Sequence, residues 1–275
     1  MTLSYTEEQA KKINDYSFNY LIVEESDHVL SLTLNRPQKK NAMTPQFMNE
    51  IVLALNYAHY NADVWLVVIQ ANGDVFTAGA DLKAFAGQAE ETTSTVPKPD
   101  KQVVVGDAFN HLHKPCIAKV HANVYAGGHL LICGCTHVIC ADTAQFSLPE
   151  VKRGIWPMQV MASLAPIMNA RQLLDYCMRG KALSADEALK LGLATDVVNA
   201  DKLDESVTNL VSEIKSLSPS AIRLGLKAWD EIKSVDGDKQ HGYLLGMLKQ
   251  ILATEDAAEG LQAFAQKRQP VWKGR

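Results

Sequence analysis

The segment Val64 to Gln70 reads Val-Trp-Leu-Val-Val-Ile-Gln, a continuous apolar run without polar alternation. A strand of that pattern has no face to give to water, so it must lie in a sheet covered on both sides. Its flanks carry the elements that such a sheet needs. Tyr20 to Val23 and His28 to Leu34 are apolar, β-branched-rich runs separated by Glu24-Glu25-Ser26-Asp27, a hairpin signal. Thr44-Pro45 offers a helix cap and a first-turn proline, and Phe47, Ile51, Ala54, Leu55 and Ala58 follow at helical spacing. The order is strand, strand, helix, strand.

A second module repeats it. Val103 to Leu112 reads as helix, Cys116 to Val120 as strand, Gly127 to Gly134 as a short apolar helix, and Val138 to Cys140 with Gln145-Phe146 as further strand. Between the modules, Gly87 to Lys101 is rich in Glu, Thr, Pro and Lys without an apolar period, which predicts a mobile surface loop. From Met158 onward the chain reads as almost wholly helical. Ser184-Ala185-Asp186-Glu187 is a capping box, and Ser218-Pro219 and Thr254-Glu255-Asp256 read as helix starts. The expectation is an α/β fold with a core over residues 1–200 and a helical subdomain over 201–275.

Composition narrows the function classes. Hydrophobic residues at 47% and charged residues at 21% exclude a disordered or fibrous chain, and 275 residues can bury a substantial core. A net charge of -4 with dispersed Lys and Arg argues against nucleic-acid binding. Met1 to Tyr20 is polar, with Glu7, Glu8, Lys11, Lys12 and Asp15, and lacks the apolar stretch of a signal peptide, so a cytoplasmic protein is expected. No run approaches the roughly 18 apolar residues of a membrane span. Cys116, Cys133, Cys135, Cys140 and Cys177 form no Cys-x-x-Cys pair and read as buried free thiols. His129 and His137 near Cys133 and Cys135 fit no zinc spacing, so no metal is expected.

Three segments carry candidate chemistry. Gly73 to Lys83, containing Ala78-Gly79-Ala80-Asp81, follows the apolar strand and leads into a helix; its small residues let backbone approach a ligand, and the helix start offers free amides. Tyr125-Ala126-Gly127-Gly128-His129 again follows a strand and opens a short helix, a second source of amide donors. Ser147-Leu148-Pro149-Glu150 places a carboxylate in apolar company ahead of Gly154-Ile155-Trp156-Pro157, where burial would raise its pKa toward that of a useful base. Each alone also reads as a plain turn.

Together they resemble a known family. Leu34-Asn35-Arg36-Pro37 with Asn41-Ala42, the Ala-Gly-Ala-Asp element at Ala78 to Asp81, the glycine pair Gly127-Gly128, and PEVKRGIWP from Pro149 are similar, in order and separation, to the signature of the crotonase (enoyl-CoA hydratase/isomerase) superfamily. The ending EGLQAFAQKRQPVWKGR is similar to that family's C-terminal segment, so the likeness spans Tyr20 to Arg275. The resemblance implies a spiral of strand-strand-helix units and a helical trimerisation subdomain. It implies that the amides of Ala80 and Gly127 form an oxyanion hole for a thioester carbonyl that becomes an enolate. Ala42 and the backbone from Ala80 through Asp81 and Leu82 to Lys83 resemble the CoA contacts; Ala78, Gly128, Leu130 and Trp156 complete the acyl-CoA set, and Glu150 aligns with a proton-shuttling glutamate. The CoA thioester is substrate, no further cofactor is expected, and the assembly would be a homotrimer or a dimer of trimers.

The sequence departs from the pattern at a telling place. Hydratases of the family carry a second glutamate three residues after the oxyanion glycine; here Leu130 stands in its place. Holding and splitting a water needs two carboxylates, whereas moving a double bond needs one base that takes a proton and returns it. Leu130 therefore favours an enoyl-CoA isomerase. His129, adjacent on the helix and pointing about 100 degrees away, reads as a packed histidine rather than a replacement acid. Pro157-Met158-Gln159-Val160-Met161 replaces the family's glycine-rich stretch and reshapes the acyl pocket. A hydratase of relaxed design, a decarboxylase or thioesterase on the same scaffold, and a non-catalytic acyl-CoA-binding subunit remain the alternatives.

Overall fold

The computed structural model describes residues 3–88 and 91–275. Strands β1 (Leu21–Ser26), β2 (Val29–Leu34), β3 (Leu66–Ala71), β4 (Cys116–Val120), β6 (His137–Ala141) and β9 (Asp196–Val198) form one sheet in the order β1-β2-β3-β4-β6-β9. Only the β1–β2 pair is antiparallel; the others are parallel. A smaller sheet joins β5 (Val124–Tyr125), β7 (Gln145–Ser147) and β8 (Ala182–Ser184). Before and among the strands run α1 (Glu7–Lys11), α2 (Pro45–Tyr60), α3 (Leu82–Phe85), α4 (Val105–Ala108), α5 (His129–Cys133), α6 (Met158–Leu164), α7 (Ala170–Arg179) and α8 (Ala185–Lys190). After β9 come α9 (Leu203–Lys215), α10 (Pro219–Glu231), α11 (Gln240–Leu252) and α12 (Glu255–Gln266).

The apolar run is doubly covered, as its lack of alternation requires. Val67 and Ile69 of β3 point into the main core, where Phe47, Ile51 and Leu55 of α2 are also buried. Leu66 and Val68 point the other way, onto Leu203 and Val207 of α9. Each such side chain contributes about 1.5–3 kcal/mol on burial, so both layers are needed to keep β3 in place. Thr44 caps α2 through a bond from the Phe47 amide to its hydroxyl, with Pro45 in the first turn. The helix α9, placed by sequence in a C-terminal subdomain, is thus a layer of the core sheet, whereas α10, α11 and α12 pack chiefly on one another.

Some expectations change in detail. Glu24, Glu25 and Ser26 lie in β1; the hairpin turns at Asp27 and His28, whose φ angles of 48° and 67° suit the tight turn that matches strand twist. The region after Met158 is almost wholly helical, as expected, and its two three-residue strands, β8 and β9, complete the two sheets. Within the expected mobile loop 87–101, Ala89 and Glu90 lie outside the described residues. Its remainder carries no helix or strand but is pinned: the Thr95 amide donates to Ser17 O, the Tyr5 hydroxyl donates to Pro97 O, and Val96 is buried. Among the described residues, no helix is long and apolar enough to cross a membrane.

Candidate active site

The first amide-bearing turn is built by backbone pairing. Past β3 the chain passes Thr77, which bridges in parallel to Val124, and Ala80, which bridges to Met43. Met43 uses both backbone groups there: its amide donates to Gly79 O at 2.7 Å and its carbonyl accepts from Asp81 N at 2.9 Å. The Ala80 amide therefore faces away from Met43. Asn41 braces the approach, accepting from Arg36 N and donating from Nδ2 to the carbonyls of Asn72, Val75 and Phe76. Asp81 caps α3 through bonds from Lys83 N and Ala84 N and pairs with Arg36 at 2.7 Å. Partial burial pushes its carboxyl up, but Arg36 and the helix amides outweigh that and leave it below the usual range.

The second turn leaves β5 with Ala126 at φ 50°, a left-handed conformation that a residue with a Cβ rarely holds. That kink presents Gly127 to the first turn. A Cβ built on Gly127 would lie 3.5 Å from the Ala80 nitrogen, and one built on Gly79 would lie 2.7 Å from the Gly127 nitrogen. Among the described residues neither the Ala80 nor the Gly127 amide hydrogen has an acceptor. Both open on a cavity of about 300 Å³. Its walls include Ala78, Leu82, Leu130, Ile155 and Trp156, and Glu150 is its one carboxylate among the described residues. An apolar pocket with two spare amides and one carboxylate can bind a carbonyl, stabilise charge on its oxygen and move a nearby proton.

Glu150 sits in a 3-10 turn, Pro149–Arg153, that follows β7. Its Oε2 is sealed from solvent with no hydrogen-bond partner among the described residues. Burial pushes the carboxyl above its usual range, and Arg153 offsets this only in part. The cavity continues toward a neighbour of about 550 Å³ with which it shares Met48, Phe85, Gln102 and Val103.

Not every candidate reaches the cavity. Gly128 is buried behind it, where an added Cβ would meet Thr77 Cγ2 at 2.4 Å. Asp81 is occupied by Arg36 and the α3 cap, Ala42 gives its carbonyl to Arg36, and Lys83 is exposed outside the wall. His129 is fully buried and does not line the cavity. Sequence reading assigned no role to Gly79, Arg36 or Tyr176; the positive φ of Gly79, at 82°, is the single one of these with a local signal. His111, His113 and Asp230 bring one possible ligand atom each within 4.8 Å of one another, none of them lines this cavity, and Asp230 is already paired with Lys233.

The family model described as Enoyl-CoA hydratase/isomerase matches residues 24–275. The chain belongs to the enoyl-CoA hydratase/isomerase family. It is 32% identical over 263 residues to the 2,3-dehydroadipyl-CoA hydratase of Escherichia coli, covering 93% of this chain and 99% of that one. It is 33% identical over 256 residues to a carnitinyl-CoA dehydratase of Salmonella typhi, covering 90% and 95%. Among solved structures, an enoyl-CoA hydratase from Mycobacterium tuberculosis superposes with a TM-score of 0.82 at 26% identity, over 94% of this chain and 100% of that one. An enoyl-CoA hydratase from Bacillus anthracis gives 0.81 at 28% identity, over 93% and 100%. The expected crotonase-type α/β fold is the fold of this enoyl-CoA hydratase/isomerase family member.

Proposed function

We propose that this acyl-CoA enzyme is an enoyl-CoA isomerase working with one glutamate. The observation that carries the reading is that Glu150 is the cavity's single carboxylate among the described residues, with Leu130 lining the wall where a second would serve. In this reading the amides of Ala80 and Gly127 hold the thioester oxygen of a 3-enoyl-CoA. Glu150 takes a proton from the α-carbon, and the electron pair moves onto the oxygen as an enolate conjugated with the double bond. Protonated Glu150 then returns the proton to the γ-carbon, the oxygen releases its charge, and the double bond lies next to the carbonyl. Atoms balance with no water consumed. The raised carboxyl suits this role, since a stronger base takes the α-proton more readily.

Hydration is the second reading, supported by the names of the relatives: the Escherichia coli protein is a hydratase. Separate incubation with a 3-enoyl-CoA and a 2-enoyl-CoA, followed by product identification, distinguishes them. Isomerisation without a hydroxyacyl product is expected. A hydroxyacyl-CoA as main product from the 2-enoyl substrate would replace the isomerase reading with the hydratase one. Glu150→Gln should lower turnover about a hundredfold to ten-thousandfold while CoA thioesters still bind. Undetectable turnover before and after the change, with binding intact, would leave an acyl-CoA-binding subunit. The reading also includes a cytoplasmic location and a homotrimer or dimer of trimers, the assembly supported by exposed Trp229, Leu245, Leu252, Leu261 and Phe264 on α10, α11 and α12. Light scattering should give a mass of three or six chains, and a monomer would remove that part.

A further inference from the structure

The Gly127 amide belongs to the peptide unit whose oxygen is Ala126 O. In a trans peptide, oxygen and hydrogen point in opposite directions, so whatever fixes the oxygen also aims the hydrogen. Both acceptor positions of Ala126 O are served by one residue: the His129 backbone amide donates to it, and His129 Nδ1 lies 2.8 Å away. The carbonyl can only accept, so Nδ1 carries the ring proton. On a neutral ring Nε2 then accepts, and the Tyr176 hydroxyl, 2.9 Å away on α7, donates to it. Burial pushes the imidazole down to about 4, which keeps the ring neutral near pH 7, and the raised Tyr176 keeps its proton.

We propose that His129, itself oriented by Tyr176, is a positioning residue that locks the Ala126–Gly127 peptide with its hydrogen facing the cavity. The inference rests on the oxyanion reading above and adds the pair that sustains one of its donors. Two features make a lock necessary. Ala126 is held at φ 50°, a left-handed conformation that is strained for a residue with a side chain, so the turn needs an outside restraint. And the Gly127 amide has no acceptor of its own among the described residues, so only the far end of its peptide is anchored. The Tyr176–His129–Ala126 chain of hydrogen bonds also polarises that peptide in the direction that strengthens its N–H as a donor. His129 does not line the cavity and takes no part in proton transfer.

The test uses a conjugated dienoyl-CoA, whose absorption moves to longer wavelength when its carbonyl is polarised. The intact protein should bind it with a red shift. His129→Leu should bind it with affinity within about threefold of the original yet lose most of the shift, and kcat should fall about tenfold to a hundredfold with KM little changed. His129→Asn, which keeps an N–H near the Nδ1 position, should regain part of both. Tyr176→Phe removes one hydroxyl from the chain and serves if His129→Leu fails to fold; it should lose about threefold to tenfold in kcat with a smaller shift. A full red shift and unchanged kcat in folded His129→Leu, or in Tyr176→Phe where the former does not fold, overturns the positioning role alone. Binding by the intact protein without any red shift would instead bring down the oxyanion reading, and this inference with it.

Discussion

The two turns that meet side by side at the cavity wall reach the same end by different means. At 78–82 the donor peptide is anchored through Gly79 O by a backbone amide, that of Met43, inside a bridge that continues the pairing of neighbouring strands. At 125–129 the peptide is anchored through Ala126 O by an imidazole beside the His129 backbone amide, and the chain is bent into a left-handed conformation there. Backbone pairing is indifferent to most side chains, so the first turn is robust wherever its glycine fits. The second adds to its backbone bond the chemistry of two side chains, which makes it the tunable half of the pair.

Swapping glycines should sharpen the contrast most. Gly79→Ala places a methyl 2.7 Å from the Gly127 nitrogen at φ 82°, against backbone that cannot yield, and should both destabilise the fold by more than about 2 kcal/mol and abolish turnover. Gly127→Ala adds a methyl at an ordinary 3.5 Å from the Ala80 nitrogen with no positive φ, so Tm should barely move. On the proposed oxyanion reading that methyl would take the space of the thioester oxygen, and kcat/KM should fall about a hundredfold to a thousandfold. Calorimetry beside kinetics reads both; equal losses of stability in the two variants would erase the distinction between a structural and a chemical glycine.

A smaller effect separates the turns by pH. The His129 imidazole is held down to about 4 by burial, so the unfolded chain takes up its proton first, near 6.5, and stability tied to the second turn is lost as pH falls from there toward 4. Asp81, also held low, gives the first turn the same sign but a lower window, beginning near its ordinary 3.8. Amide exchange followed from pH 7 to pH 4 should therefore show residues around 126–129 loosening while those around 81–84 stay protected. Simultaneous loosening would mean that the two turns share one anchor.

How much of this was legible in the sequence depends on the range of the interaction. The apolar run of β3, the Thr44 cap and the Ser184 capping box are local, and each stands where its residues place it. The strands β8 and β9 are three residues long, too short to show a period, and exist because an edge was available to pair with. The two turns and Glu150 were recognisable from small residues after strands and from family likeness. What holds them was not: Arg36 meets Asp81 across 45 positions and His129 meets Tyr176 across 47, and no spacing rule ties such pairs together. The pinning of 91–101 was missed for the same reason, since Tyr5 and Ser17 reach it from the beginning of the chain.

The cavity wall draws on Met48, Ala80, Gly127, Glu150 and Trp156, segments separated by long stretches of chain. Such a pocket has no precursor in any fragment: it exists only after β2, β3 and β4 have found one another in parallel register, a step slowed by the cost of closing large loops. On refolding, helical signal should return early and catalytic competence last. Recovered turnover then serves as a stopwatch for completion of the topology, reporting the final non-local contacts rather than the first local ones.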